Sequence, residues 1–292
     1  GPGDGLAEEV AAHHILERGP DPLAHAFGLL AGGVDARDEH LFQVRLAVDA
    51  VGAFLDGQIV QAFLQLVQPI YGQPRQKGQP AGFEGVGEVV AAGTEPAAQA
   101  LNGKRVAFAP GRTGWGAWAE YAVAEAHSCY VLRPEMRDED GATMIVNPLT
   151  ALAMLDIVKE EGEKSFILTA GASQLCKLMI GVARDAGLRP IAVVRRDEQI
   201  PALEKLGAAH VVNADRPGFS RRMAELCKAE NPRVLLDAVT GPQGAAIFHA
   251  MGRGARWIVY GRLDASDTTI REPGQMIFMG KRIEGFWLID WM

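Results

Sequence analysis

The sequence predicts an α/β fold in two parts, a small irregular β-barrel followed by a doubly wound parallel sheet. Two observations predict it. From residue 165 onward, short apolar runs alternate with helical patterns, which is how a parallel sheet with helices on both faces is built. Between 81 and 132, short strand-like segments are separated by glycine turns, which suits a barrel. A chain of 292 residues is long enough for both units and their cores.

The stretch 165–196, SFILTAGASQLCKLMIGVARDAGLRPIAVVRR, sets the pattern of the second unit. Residues 166–168 read as a buried strand, and the small residues 169–173 as a turn. Leu175, Met179, Ile180 and Val182 then recur at helical spacing. Residues 191–194 form the next strand, which ends in Arg195 and Arg196. Strand, small-residue turn, helix, strand is the right-handed unit that binds a dinucleotide. Turn amides can approach a pyrophosphate, and the helix N-terminus adds positive partial charge.

Laid on GxGxxG, the turn keeps one glycine, Gly171, with Ser173 and Cys176 at the other two positions. Ser173 lets a phosphate come close and can donate a hydrogen bond. Cys176 replaces the glycine that brings helix and strand together, so a slightly wider helix–sheet spacing is expected. On its own the motif also fits a crossover without a ligand. The next strand end adds to it. An NAD site usually carries an acidic residue there, whereas Arg195 and Arg196 suit a 2′-phosphate and therefore NADP. Asp197, directly after them, is a counter-signal, and a solvated basic turn is the plainer alternative.

The alternation continues with a helix over 200–206 closed by Gly207, and a strand at 210–212. A helix follows at 219–228, a strand at 234–237 and a helix at 243–251. The last strands fall at 256–260 and 282–288, which makes six. In the first unit, strands are expected at 81–93, 103–109, 118–124 and 128–132, with Gly82, Gly85 and Gly87 marking bends. Helical spacing runs over 142–146 and 149–158, interrupted by Asn147 and Pro148. Asn147 is either a turn residue or an amide presented to a ligand between the two units.

Residues 1–70 carry no assigned chemistry. Short helical pieces are expected at 6–16 and 23–30, and strands at 42–46 and 48–54. His13 and His14 are adjacent, point in different directions on a helix and read as surface residues. A net charge of −7 gives no electrostatic reason to expect nucleic acid. No apolar run approaches a membrane span, and the acidic N-terminus lacks signal-peptide order, so a cytoplasmic location is expected. Cys129, Cys176 and Cys227 are too dispersed for a disulfide framework or a metal cluster.

The segments GFEGVGEVVAAG, GWGAWAEYAV, VNPLTA, TAGASQL, VVRRDE, LGAAHVV, YGRL and GFWLIDW follow one another from residue 82 to 291. In that order they resemble the medium-chain dehydrogenase/reductases. The last segment, with VNP and VVRR, is most similar to the trans-2-enoyl thioester reductases and their quinone-reductase-like relatives. The resemblance covers roughly three quarters of the chain, from residue 71 onward. It implies a GroES-like barrel domain at 71–136 and a Rossmann NADP-binding domain at 137–292.

The resemblance also implies roles. Zinc alcohol dehydrogenases of the superfamily carry Gly-His-Glu where this chain has Gly82, Phe83 and Glu84. Phenylalanine cannot ligate zinc, so no metal is expected. In the enoyl reductases a barrel tyrosine, 13 residues before that glutamate, donates the proton; Tyr71 stands at that spacing. Asn147 matches an asparagine near the nicotinamide, and Ala172, Ser173, Gln174 and Leu175, after Gly171, match the pyrophosphate turn. Arg195 and Arg196 match contacts to the 2′-phosphate. Tyr260, Gly261, Arg262 and Leu263 match a cofactor loop. Phe286, Trp287 and Leu288 match a segment beside the nicotinamide and acyl pocket, or else plain core.

The implied activity is NADPH-dependent reduction of an activated C=C bond, as in an enoyl thioester, or of a quinone. A non-catalytic NADP-binding protein is the second reading, and a truncated fragment the third. The family pattern continues beyond GFWL into returning barrel strands, so with the chain ending at Met292 an incomplete barrel is expected. The unmatched first ~70 residues suggest a fragment or a shifted reading frame. A homodimer through the sixth strand, 282–288, is expected, because that strand would lie at a sheet edge.

Overall fold

A computed structural model describes residues 81–110, 116–162 and 164–292, together with the strand at 41–46. Tyr71, His13, His14, the expected helical pieces at 6–16 and 23–30 and the expected strand at 48–54 lie outside the described residues.

The first unit is a five-stranded sheet. Its strands are β1 (Leu41–Leu46), β2 (Gly85–Ala92), β3 (Arg105–Phe108), β4 (Tyr121–Glu125) and β5 (Cys129–Val131). They run in the order β4-β1-β2-β3-β5, and every pairing is antiparallel. β1 comes from the stretch that the sequence left without assigned chemistry, yet it pairs on both sides. A short helix, α1 (Pro96–Gln99), fills the β2–β3 connection. Val89, Val106, Phe108, Ala122 and Ala124 form one side of the core. Gly82 has φ +101°, and a Cβ there would lie 2.6 Å from the Trp118 ring, so glycine is required at this bend.

After α2 (Asp138–Gly141), α3 (Val146–Glu160) leads into the second unit. Its six strands are β6 (Ser165–Leu168), β7 (Arg189–Val194), β8 (His210–Asn213), β9 (Val234–Asp237), β10 (Arg256–Val259) and β11 (Arg282–Gly285). The order is β11-β10-β9-β6-β7-β8, with every pairing parallel. The direction of winding reverses between β6 and β9, where such sheets bind ligands beyond their carboxyl ends.

The intervening helices are α4 (Gln174–Asp185), α5 (Ile200–Leu206), α6 (Phe219–Glu230), α7 (Gly241–Ala250), α8 (Gly274–Met279) and α9 (Leu288–Trp291). Alternation along each strand explains why both faces are covered. Phe166, Leu168, Ala192, Val194 and Leu236 meet Met154, Leu155, Met179, Ile180 and Leu203 of α3, α4 and α5. Ile167, Ile191, Val193, Leu235 and Trp257 meet Met223, Leu226, Ile247 and Phe248 of α6 and α7. Each fully buried leucine, isoleucine, valine, methionine or phenylalanine among them contributes about 1.5–3 kcal/mol.

Two expectations are corrected. The sixth strand stops at Gly285 rather than at 288. Phe286 still donates its amide to the Val259 carbonyl (2.9 Å), after which Leu288 opens α9, which packs on α3. Asn147 and Pro148 do not separate two helices either: residues 142–145 form a turn and bend, and both residues lie in the first turn of α3, which begins at Val146. A proline is tolerated there because amides in the first turn have no intrahelical acceptor.

Candidate functional site

The carboxyl ends of the parallel strands lie side by side. Leu168 pairs with Leu236, Val194 with Asn213, Asp237 with Val259, and Val259 with Gly285. The segments singled out at 169–175, 195–196, 260–263 and 286–288 therefore all leave the sheet at one edge, around the switch point. Their convergence follows from strand order.

The turn between β6 and α4 is tied down from below. Asp237, fully buried at the end of β9, is its anchor. Its Oδ1 accepts from the Thr169 hydroxyl (2.5 Å) and from the amides of Val239 (2.8 Å) and Thr240 (3.1 Å). Its Oδ2 accepts from Trp257 Nε1 at 2.8 Å. Thr169 Oγ1 in turn accepts from the Ala238 amide at 2.9 Å. The carboxylate is thus satisfied by four donors in the core, as burial demands. Strain collects on both sides of it, with Ala170 at φ +48° and Thr240 at φ +65°. Such values are uncommon for residues with a Cβ and cluster at binding sites.

Within the turn, the Gly171 amide donates to Val193 O and the Ser173 amide to Ala170 O, both at 2.8 Å. A Cβ on Gly171 would lie 2.9 Å from Ala192 Cβ, so only glycine lets the turn lie against β7. Ser173 caps α4, its Oγ accepting from the Cys176 amide at 3.2 Å. The amides of Ala172, Gln174 and Leu175 have no internal acceptor among the described residues. Ser173 and Gln174 are exposed, so this helix tip opens to solvent with donors outward.

Cys176 does not fill the crevice. Its side chain is buried beneath the turn, with Sγ 3.3 Å from Thr169 O and 3.6 Å from the Tyr260 hydroxyl. Burial raises the pKa of the thiol, and burial beside that thiol raises the Tyr260 phenol well above its ordinary value. Both groups stay protonated at neutral pH. Tyr260 therefore supports the turn from below, its amide bonded to Asp237 O. Gly261 abuts Ala238, Leu263 is exposed with its amide on Ala238 O, and exposed Arg262 donates to Ala265 O.

Arg195 and Arg196 emerge exposed from the end of β7. Neither guanidinium has a hydrogen-bond or ion-pair partner among the described residues. The acidic neighbour, Asp197, is bound to Asn213 and Arg216 instead. The sequence offered no hint of that diversion.

Asn147 is half-buried near the start of α3. Glu84 secures this helix start, its Oε2 accepting from the amides of Ile145 and Val146, each at 2.9 Å. Burial raises its pKa and outweighs those two bonds. A barrel carboxylate thus sets where α3 begins, which the sequence reading missed. Phe286 packs into the core beside α3 and α4, Leu288 is half-buried and Trp287 is exposed.

The site fits a dinucleotide on its own terms. It combines open amides at a helix tip, a turn that only glycine can bring this close, and two guanidiniums at the next strand end that have no partner among the described residues. Among the described residues, no three His, Cys, Asp or Glu side chains are grouped to hold a metal ion.

Comparisons with known proteins accord with this architecture. Residues 175–292 match the family described as zinc-binding dehydrogenase. A candidate NADPH:quinone reductase from Mesorhizobium loti is 59% identical, with a TM-score of 0.77 over 87% of this chain and 72% of that one. Mitochondrial enoyl-[acyl-carrier-protein] reductase from Bos taurus is 28% identical over 235 residues, 78% of this chain. The chain spans 61% of that relative's length. Escherichia coli quinone oxidoreductase, solved with NADPH, shares the fold at 17% identity and a TM-score of 0.67, over 87% of this chain and 74% of that one.

Proposed function

The chain belongs to the medium-chain dehydrogenase/reductase superfamily, and from that premise we propose that it is an NADPH-dependent oxidoreductase. Its substrate on this reading is an activated C=C bond, as in a 2-enoyl thioester, or a quinone. One observation carries the proposal: an open helix tip at the switch point faces solvent beside two guanidiniums on the adjacent strand that have no partner among the described residues. The relatives named above are reductases of these two kinds.

The amides of Ala172, Gln174 and Leu175 and the Ser173 hydroxyl would hold the pyrophosphate. Arg195 and Arg196 would hold the 2′-phosphate, each as a charge-assisted donor. Asn147, residues 260–263 and residues 286–288 would border the nicotinamide end. Bound NADPH would supply a hydride. Tyr71 is proposed as proton donor: a phenol near the acceptor carbonyl stabilises enolate-like charge on oxygen and can protonate the adjacent carbon. Zinc independence is part of the proposal and rests on Phe83, which has no metal-binding atom.

The test is NADPH oxidation with crotonyl thioester and with a small quinone, beside a Tyr71→Phe variant. Turnover that falls at least ~100-fold in that variant supports the proton-donor role, since general acid catalysis is typically worth 10²–10⁴-fold. Equal turnover sinks it. A second reading, NADP binding without catalysis, draws on the turn's single surviving glycine and on Cys176. It predicts tight NADPH binding with no turnover of either substrate.

Homodimerisation belongs to the proposal too. β11 is the edge of the parallel sheet, and Ile283 on it is 43% exposed. Sedimentation as a monomer would remove this part. No helix among the described residues is long and apolar enough to cross a membrane. A cytoplasmic location competes with the mitochondrial names of the curated relatives, and cell fractionation would decide between them.

A further inference from the structure

We propose that Arg216 and Asn213 act as specificity-determining residues, holding Asp197 away from Arg195 and Arg196 so that both guanidiniums stay free for a 2′-phosphate. The inference rests on the NADPH reading above and deepens it.

Asp197 follows the two arginines directly, in the 3₁₀ turn Asp197–Gln199. An unengaged carboxylate there, adjacent in sequence to Arg196, would be a ready counter-ion for either guanidinium. It would neutralise them and offer an acceptor to a ribose 2′-hydroxyl, which favours NADH. The structure occupies that carboxylate on both oxygens. Asn213 Nδ2 donates to Oδ1 at 2.7 Å. Arg216 donates to Oδ2 through Nη2 at 2.6 Å and Nε at 3.1 Å.

The clasp is held ready by the loop after β8. Asn213 Oδ1 accepts the Asp215 amide at 2.9 Å, which fixes the rotamer of the asparagine. The Ala214 amide bonds Val194 O at 2.7 Å, so this loop is stitched to the strand that ends in Arg195. The other nearby acids, Glu198 and Asp215, are exposed, and neither bonds to Arg195 or Arg196. The contacts to Asn213 and Arg216 hold the Asp197 carboxyl below its ordinary pKa, so it remains an anion that needs a partner.

The test compares dissociation constants for NADPH and NADH by calorimetry, on the full chain. Arg216→Ala is a surface change, since that side chain is 65% exposed. It should weaken NADPH binding about three- to five-fold, the reach of an exposed ion pair, while NADH binding stays the same or tightens as the freed carboxylate meets the ribose 2′-hydroxyl. Adding Asp197→Asn to Arg216→Ala should restore wild-type NADPH affinity, because no carboxylate remains to capture the arginines.

An unaltered NADPH affinity in Arg216→Ala overturns the proposal. So does a double variant as weak as the single one, which would mean that Arg216 itself touches the phosphate. Equal affinity of the wild type for NADPH and NADH overturns the underlying cofactor reading, and is seen before any variant is made.

Discussion

Replacing Thr169 by valine should destabilise the protein by about 3 kcal/mol. Thr169 Oγ1 makes two buried bonds, to Asp237 Oδ1 at 2.5 Å and from the Ala238 amide at 2.9 Å. Valine keeps the shape and removes both. A hydrogen bond to a charged group contributes roughly 1.5–3 kcal/mol, and a stranded buried amide costs about 1–3 kcal/mol. The two terms share one oxygen and are not additive, so the expected loss lies toward the low end of their summed range of about 2.5–6 kcal/mol. Urea unfolding reads it as a midpoint shift on the order of 1 M, for a slope near 3 kcal/mol per molar. Thr169→Ser keeps the oxygen and should lose only about 1 kcal/mol, for one buried methyl. Trp257→Phe also removes a donor from Asp237, but from Oδ2, on the strand away from β6. That variant should lose stability yet keep NADPH affinity, whereas Thr169→Val should lose both. A loss under ~1 kcal/mol for valine, or equal damage from serine, would refute the view that Asp237 anchors the turn through this hydroxyl.

Two further outcomes are expected. Gly171→Ala places a methyl 2.9 Å from Ala192 Cβ and 3.2 Å from Val193 O. Overpacking of this kind costs about 1–3 kcal/mol, and the displaced turn should weaken NADPH binding about ten-fold by calorimetry. Glu230 is bonded to Arg189, His210 and Ser165, contacts with Arg189 foremost, and they hold its pKa well below the ordinary 4.5. For an acid with a lowered folded pKa, the contribution is present above the unfolded value and is lost as pH falls through the folded one. Between pH 7 and strongly acidic solution, wild type should therefore lose more stability than Glu230→Gln, measured as urea midpoints. Parallel pH profiles would contradict that assignment.

Much of the parallel unit was legible because its signals are local. Apolar runs such as 166–168 and 234–237, each followed by helical spacing, dictate strand and helix whatever surrounds them. Gly171 and the Arg195–Arg196 pair could be read because turn geometry and charge at a strand end act within a few residues. Other features depend on partners distant in sequence. Val146–Glu160 takes Asn147 and Pro148 into its first turn, with a carboxylate 62 residues earlier receiving the Val146 amide. β1 finds its place only by pairing with residues 87–92 and 121–125.

The same division runs through the site. Residue types alone predicted a small-residue turn after β6 that suits a dinucleotide, and a basic pair after β7. Whether that basic pair is available was decided in three dimensions, because Asp197 is captured by side chains 16 and 19 residues away. Tyr260, which the resemblance matches to a cofactor loop, has its hydroxyl against a thiol 84 residues before it, a contact no local pattern could show. Asp237 ends an apolar strand, a visible oddity, but its role as anchor needs strands β6, β9 and β10 side by side. Local sequence sets backbone preference and charge. Which charges neutralise one another, and which donors remain open, is decided only when the sheet brings distant strand ends within bonding distance.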